Sequence, residues 1–164
     1  MKITTIVLLF VVSACSAVST ARSDMGLDLG IAPIGTKSVD LKAFESTNCS
    51  EKEHGMDDCS ATDSMGRHYA FFDGALSMVS ADAADTPSRL TLPGEMRFGE
   101  DIHEAAQKAR NIFGIKFDLG NANGVTAYSS PMAIRSSAGI LYSVELIADK
   151  DGHYLTKVVQ RTDF

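Results

Sequence analysis

GEDIHEAAQKARNIFG, residues 99–114, decides the fold class. Counted from Ile102, apolar side chains recur at offsets of 3, 4, 7, 10 and 11, at Ala105, Ala106, Ala109, Ile112 and Phe113. That spacing gathers them on one face of an α-helix. Glu100 and Asp101 stand at its start and Lys108 and Arg110 towards its end, each favourable to the helix dipole, and Gly114 suits the left-handed position that closes a helix. So short a helix cannot bury its stripe alone, so the pattern predicts a helix laid on a sheet.

Downstream, strands are expected at IKFDL (115–119), VTAYS (125–129), MAIR (132–135), ILYSVELI (140–147) and HYLTKVVQR (153–161). Turns at 120–124, 136–139 and 149–152 separate them, and such short connections favour an antiparallel meander. Ile140, Tyr142, Val144 and Leu146 share one face of their strand, and Glu145 points the other way. Upstream, HYAFFDGALSMV (68–79) reads as a hairpin turning at Asp73-Gly74, since both turn residues tolerate positive φ. Gly26 to Gly35 reads as edge strand or coil, and Ser38 is placed to cap a short helix with Val39, Leu41, Ala43 and Phe44 on its apolar side.

Each half thus runs through a glycine-bearing approach, a helix and a hairpin whose turn holds Asp and Gly. The expected fold is α+β: two fused modules, each a short helix packed on an antiparallel β-sheet, after a cleaved signal segment. The first module spans 29–80 and includes a disulfide loop. Residues 81–91, small, acidic and proline-containing, form the linker, and 92–164 form the second module.

The signal segment is MKITTIVLLFVVSAC, residues 1–15. A positive Lys2, an apolar run from Ile3 to Ala14 and small residues behind it make an export signal; about 20 apolar positions are needed to span a bilayer, and this run is shorter. Two cleavages fit. Val12-Ser13-Ala14-Cys15 resembles a lipobox, which would make residues 1–14 the signal, Cys15 the lipidated first residue and 22–28 part of a tether. Alternatively, cleavage after Ser19-Thr20-Ala21 removes 1–21. The polar stretch after Cys15 favours the tether, and Ser16 in place of aspartate points to the outer membrane by analogy with such lipoproteins. The expected location is the periplasm, with membrane contact only through that lipid.

Either cut leaves 14 basic against 21 acidic residues, a net charge of −7. With no Lys/Arg cluster and no Trp, the chain lacks the footprint of a nucleic-acid binder. Either cut also leaves Cys49 and Cys59 as an even pair, expected to be a disulfide in an exported chain. The set Cys49, His54, Cys59 and His68 invites a zinc reading, but its spacing follows no common zinc pattern, so oxidation is preferred.

LPGEMRFGEDIHEAAQKARNIFGIKF, residues 92–117, followed by strands and a hairpin bearing Asp149-Lys150-Asp151-Gly152, is similar to the helix-then-sheet modules of small exported bacterial proteins of the SmpA/OmlA and beta-lactamase-inhibitor-like type. That resemblance implies a curved antiparallel sheet that binds a partner protein. It assigns no individual contact residue.

The residues themselves offer little site chemistry. There is no Gly-x-Ser-x-Gly and no His-Glu-x-x-His; His103-Glu104 stands alone and reads as a solvated helix flank. Asp149 to Gly152 matches a calcium loop only in part and reads as a turn. No catalysis, metal or cofactor is expected. The expected function is that of a non-catalytic envelope protein binding another envelope protein, as an inhibitor, an immunity-type factor or an assembly accessory; the alternative is a small-ligand or metal-binding envelope module. The candidate contacts are His54 and Asp57 in the disulfide loop, and Tyr128 and Tyr154, whose rings offer large contact area with a polar tip.

Overall fold

A computed structural model of the protein describes residues 27–37, 39–51, 57–87, 90–122 and 124–163. Cys15 and the rest of the signal and tether reading lie outside these residues, as does His54.

The helix α1, Ile102–Phe113, forms where the periodicity predicts it. Asp101 caps it by accepting from the amides of His103 and Glu104, and Gly114 closes it in the left-handed conformation with its amide on the Arg110 carbonyl. Ile102, Ala105, Ala106 and Ala109 are its buried residues. Three of them are alanines, which lets the helix lie close against what it covers.

It covers a sheet. The strands are β1 Ser46–Glu51, β2 Asp57–Thr62, β3 His68–Phe72, β4 Ala75–Asp82, β5 Asp118–Ala122, β6 Val125–Ser129, β7 Ile134–Arg135, β8 Leu141–Ala148 and β9 Leu155–Arg161. They make one mixed α+β fold with a single antiparallel sheet in the order β1-β2-β3-β4-β9-β8-β6-β5, with β7 beside β8. Two four-stranded meanders therefore meet through their last strands, Met78 to Asp82 of β4 pairing with Arg161 to Lys157 of β9. Read outward from this seam, β4, β3, β2 and β1 lie on one side and β9, β8, β6 and β5 on the other, so the pairing order is symmetric about it.

The β3–β4 hairpin turns at Asp73 and Gly74, both at positive φ as the sequence predicts. In β8, Tyr142, Val144 and Leu146 are buried in alternation with partly exposed neighbours. Three expectations shift. The IKFDL strand begins only at Asp118, because Phe117 drops into the core and offers its carbonyl to Arg110. The disulfide loop is flanked by two strands, β1 and β2, that no apolar alternation announced. And the helix expected after Ser38 is a single 3-10 turn at Leu41–Ala43, capped by Asp40, with none of its residues buried; Ser38 lies outside the described residues.

A strap of bends and turns, residues 27–37, takes the place of that first helix. Leu29 and Ile34 are buried under it. Gln160 of β9, itself buried, grips the strap from the seam: its Oε1 accepts from the Leu29 amide at 2.9 Å and its Nε2 donates to the Leu27 carbonyl at 2.6 Å. Ser136 Oγ donates to the Ile34 carbonyl at 2.6 Å, and Lys37 bridges to Ala75. The strap lies so near the sheet that a Cβ on Gly30 would stand 2.9 Å from Val79 Cγ2 and 3.0 Å from Tyr69 Cε1. Backbone hydrogen bonds here replace what an amphipathic face would otherwise supply.

A buried carboxylate ties strap to sheet. Asp63 accepts from Tyr69 Oη at 2.7 Å, from Arg67 Nε at 2.7 Å and from the amides of Met65 and Arg67. Arg67 Nη1 in turn donates to the Leu29 carbonyl, and Tyr69 Oη accepts from the Ile31 amide. Burial by itself would raise the Asp63 pKa, but the hydrogen bonds from Tyr69 and Arg67, with the Arg67 charge, outweigh it and hold the carboxyl below its ordinary 3.8. Burial and the Asp63 contact push the Tyr69 phenol above its ordinary range.

Two outcomes follow from these contacts. Asp63 contributes stability that is fully present above the unfolded carboxyl pKa of 3.8 and is lost as pH falls through its lower folded value. Asp63→Asn is therefore expected to cost about 2–4 kcal/mol at pH 7 and to flatten the loss of stability below pH ~4, read by denaturant unfolding across pH. Replacing Cys49 and Cys59 by serine is expected to cost about 2–3 kcal/mol, with hydrogen exchange accelerated in β1 and β2 while β8 stays protected.

Candidate functional site

Pairing register assigns each strand residue to one of two faces. On the first, Tyr69, Val79, Gln160 and Val144 form one cross-sheet row, and Ala81, Val158, Leu146 and Tyr128 the next. The helix and the strap cover this face, and its residues form the core. On the second, one row crosses the whole sheet: Ser46, Thr62, His68, Ser80, Val159, Glu145, Ser129 and Asp118. A second row runs through Asn48, Ser60, Ala70, Met78, Arg161 and Ser143.

Among the described residues no helix packs on this second face. Its side chains are mostly small or polar; Ser80 and Val159 at its centre are buried, while residues towards its two ends, such as Asn48 and Asp118, are exposed. Over β1 to β4 it is hollowed: one depression of about 230 Å³ lies among Ser46, Asn48, Thr62, His68 and Met78. Another of about 360 Å³ lies among Asn48, Ser60, Ala70 and Phe72. Polar groups border it on both halves. In the first, His68 Nδ1 stands 3.2 Å from Thr62 Oγ1 and its Nε2 3.3 Å from Asp85 Oδ2. In the second, Glu145 meets Arg161 at 3.8 Å and accepts from Ser129 at 3.5 Å.

The order hydroxyl, imidazole, carboxylate in Thr62, His68 and Asp85 is that of a proton relay. His68 and Asp85 side chains are 44% and 57% exposed, however, so water competes for both contacts. These two contacts hold the ring on the face.

The sequence-derived candidates are scattered. Cys49 and Cys59 face each other across β1 and β2 and are bonded, which removes both from any metal set. Asp57 begins β2, its backbone opposite Glu51. Tyr128 is only 8% exposed and faces the helix, where its hydroxyl meets His103 Nδ1 at 2.6 Å. It is thus a core residue with a polar tip, and His103, exposed on the helix as expected, is hydrogen-bonded to it. Tyr154 is 53% exposed, just before β9, beside His153. The turn before it is shaped by Asp149, whose carboxylate accepts from the amides of His153 and Tyr154 and is held below its usual range, chiefly by the first of these. The residues of the second face carried no motif; only the alternation in β8, with Glu145 on the far side, pointed to it.

Comparison of the chain with protein-family models, with curated proteins and with solved structures finds no match. The burial difference between the two tyrosines gives a direct check. Tyr128→Phe is expected to cost about 1 kcal/mol by removing its hydrogen bond to His103, and Tyr154→Ala less than about 0.5 kcal/mol, both read by denaturant unfolding.

Proposed function

We propose that this is an exported, non-catalytic protein of the cell envelope that binds another protein through the second face of its sheet, as an inhibitor, an immunity-type factor or an assembly accessory. The observation that carries this reading is the asymmetry of the sheet. One face is closed by helix and strap, whereas the other is a broad surface of small and polar side chains with no described helix on it. Small residues admit close approach, and a rigid sheet loses little entropy on binding. The depressions over β1 to β4 offer recesses for protruding side chains.

Export is supported by the N-terminal pattern of residues 1–15 and by the Cys49–Cys59 bond, which suits an oxidising compartment. Lipidation at Cys15 would hold the protein at the outer membrane. The correspondence of the two meanders about the seam supports an origin in two fused modules, of which the second kept its helix and the first has the strap. Tyr154, and the loop bearing His54 and Asp57, are secondary contacts in this reading.

The test uses a photo-crosslinking residue at Asn48, exposed on the second face, and a control at Lys116, exposed outside the strands. In envelope preparations the Asn48 position is expected to give a discrete protein adduct, abolished by Ser60→Arg beside it, while Lys116 gives none. Identical patterns from both positions, or no adduct at all, would sink the proposal.

A further inference from the structure

The two sulfurs of the Cys49–Cys59 bond sit in unlike surroundings. Cys49 is exposed and stands on β1, the outermost strand, whose one neighbour in the sheet is β2. Cys59 is partly buried against the main core and pairs on its other side with Phe71, itself 6% exposed and packed on Phe44. Because the two cysteines are direct partners, the bond between them runs across the strands, from the interior of the sheet towards its rim.

Thiol–disulfide exchange proceeds by collinear attack of a thiolate on one sulfur while the other leaves, so access decides which sulfur is attacked. Collinear attack on Cys59 has to come from the side of β3, where the buried Phe71 stands. Attack on Cys49 comes from the rim, beyond which no described strand lies. The strand that carries Cys49 also depends on the bond. Ser46, Thr47, Asn48 and Cys49 are all exposed, so none of them buries apolar surface that would hold β1 down. Phe44, buried against Tyr69 and Phe71, anchors the chain just before β1, and the disulfide anchors its far part.

We propose that the Cys49–Cys59 bond is a site of thiol–disulfide exchange in which Cys49 is the attacked sulfur, and that opening it releases β1 from the sheet. The reductant is a thiol, either a small monothiol or a protein bearing a Cys-x-x-Cys dithiol. Its thiolate bonds to Cys49 Sγ as the Sγ–Sγ bond breaks, and Cys59 leaves as a thiolate that takes a proton from water. A second thiolate, from the same dithiol or another monothiol, attacks the reductant's sulfur in the mixed disulfide and frees Cys49 as a thiolate. The reductant ends as a disulfide, and the two electrons it gives up reduce the cystine to two thiols. Release of β1 takes Ser46 and Asn48 away from the recesses of the second face. That consequence rests on the reading of this face as a docking surface; the exchange does not.

Reduced glutathione is the probe, applied for short times to the oxidised mature chain, quenched with acid and mapped by mass spectrometry. At early times adducts on Cys49 are expected to exceed those on Cys59 about tenfold or more, at a rate unchanged by denaturant below the unfolding transition. After full reduction and alkylation, the amides of β1 are expected to exchange hydrogen about tenfold faster or more, while those of β4 and β8 keep their protection. Adducts spread evenly over both cysteines, exchange that tracks global unfolding, or a β1 that keeps its protection after reduction would each overturn the proposal. None of these readouts needs a partner, so their failure is distinct from the absence of an adduct at Asn48.

Discussion

The pairing of β4 with β9 is the constraint on which the rest of the structure depends. Each meander alone would be a four-stranded sheet with an unpaired last strand and half a core. Joined from Met78–Arg161 to Asp82–Lys157, they share one interior in which Val79 and Ala81 pack beside Gln160 and Val158. The seam also delivers Gln160 to the one place where it can hold the strap, whose backbone has no strand partner at Leu27 and Leu29. A polar side chain at the centre of an apolar row is costly unless both ends of its amide are satisfied, and here both are. So β9, from the second half of the chain, organises the cover of the first.

That dependence explains what was legible in the sequence. The helix, the Asp73-Gly74 hairpin and the alternation of β8 are written locally, in periods of 3.6 or 2 and in turn residues, and they form where expected. The strap is not, because its order comes from hydrogen bonds to Gln160, Arg67, Tyr69 and Ser136, residues up to 133 positions away. Val39, Leu41, Ala43 and Phe44 resembled half a helical face. The segment instead makes one 3-10 turn at Leu41–Ala43, and of the four only Phe44 is buried, against Tyr69 and Phe71.

The candidate site was less legible still. STNCSE and DDCSAT lack apolar alternation, because the covered side of β1 and β2 is met by a disulfide and an alanine in place of large aliphatic residues. Tyr128 and Tyr154 look equivalent as aromatic residues on strands. Only register shows that one faces His103 under the helix and the other solvent. Thr62, His68 and Asp85 come together from a strand end, a strand start and a loop, a juxtaposition that exists only once β2 and β3 are paired.

Within the described residues the sheet is open, ending in β1 on one side and β5 on the other, and an open rim is a template on which further strands can add. The β1 rim is blunted by composition, since Ser46, Thr47, Asn48 and Ser50 offer nothing greasy for a second chain to bury. The β5 rim is barer: Leu119 stands 58% exposed between Asp118 and Gly120, with the Lys116–Asp118 pair as the charged neighbour. Of the two described rims, the β5 rim is thus the one that would offer a second chain an apolar contact, with the carboxylate of Asp118 as its charged neighbour.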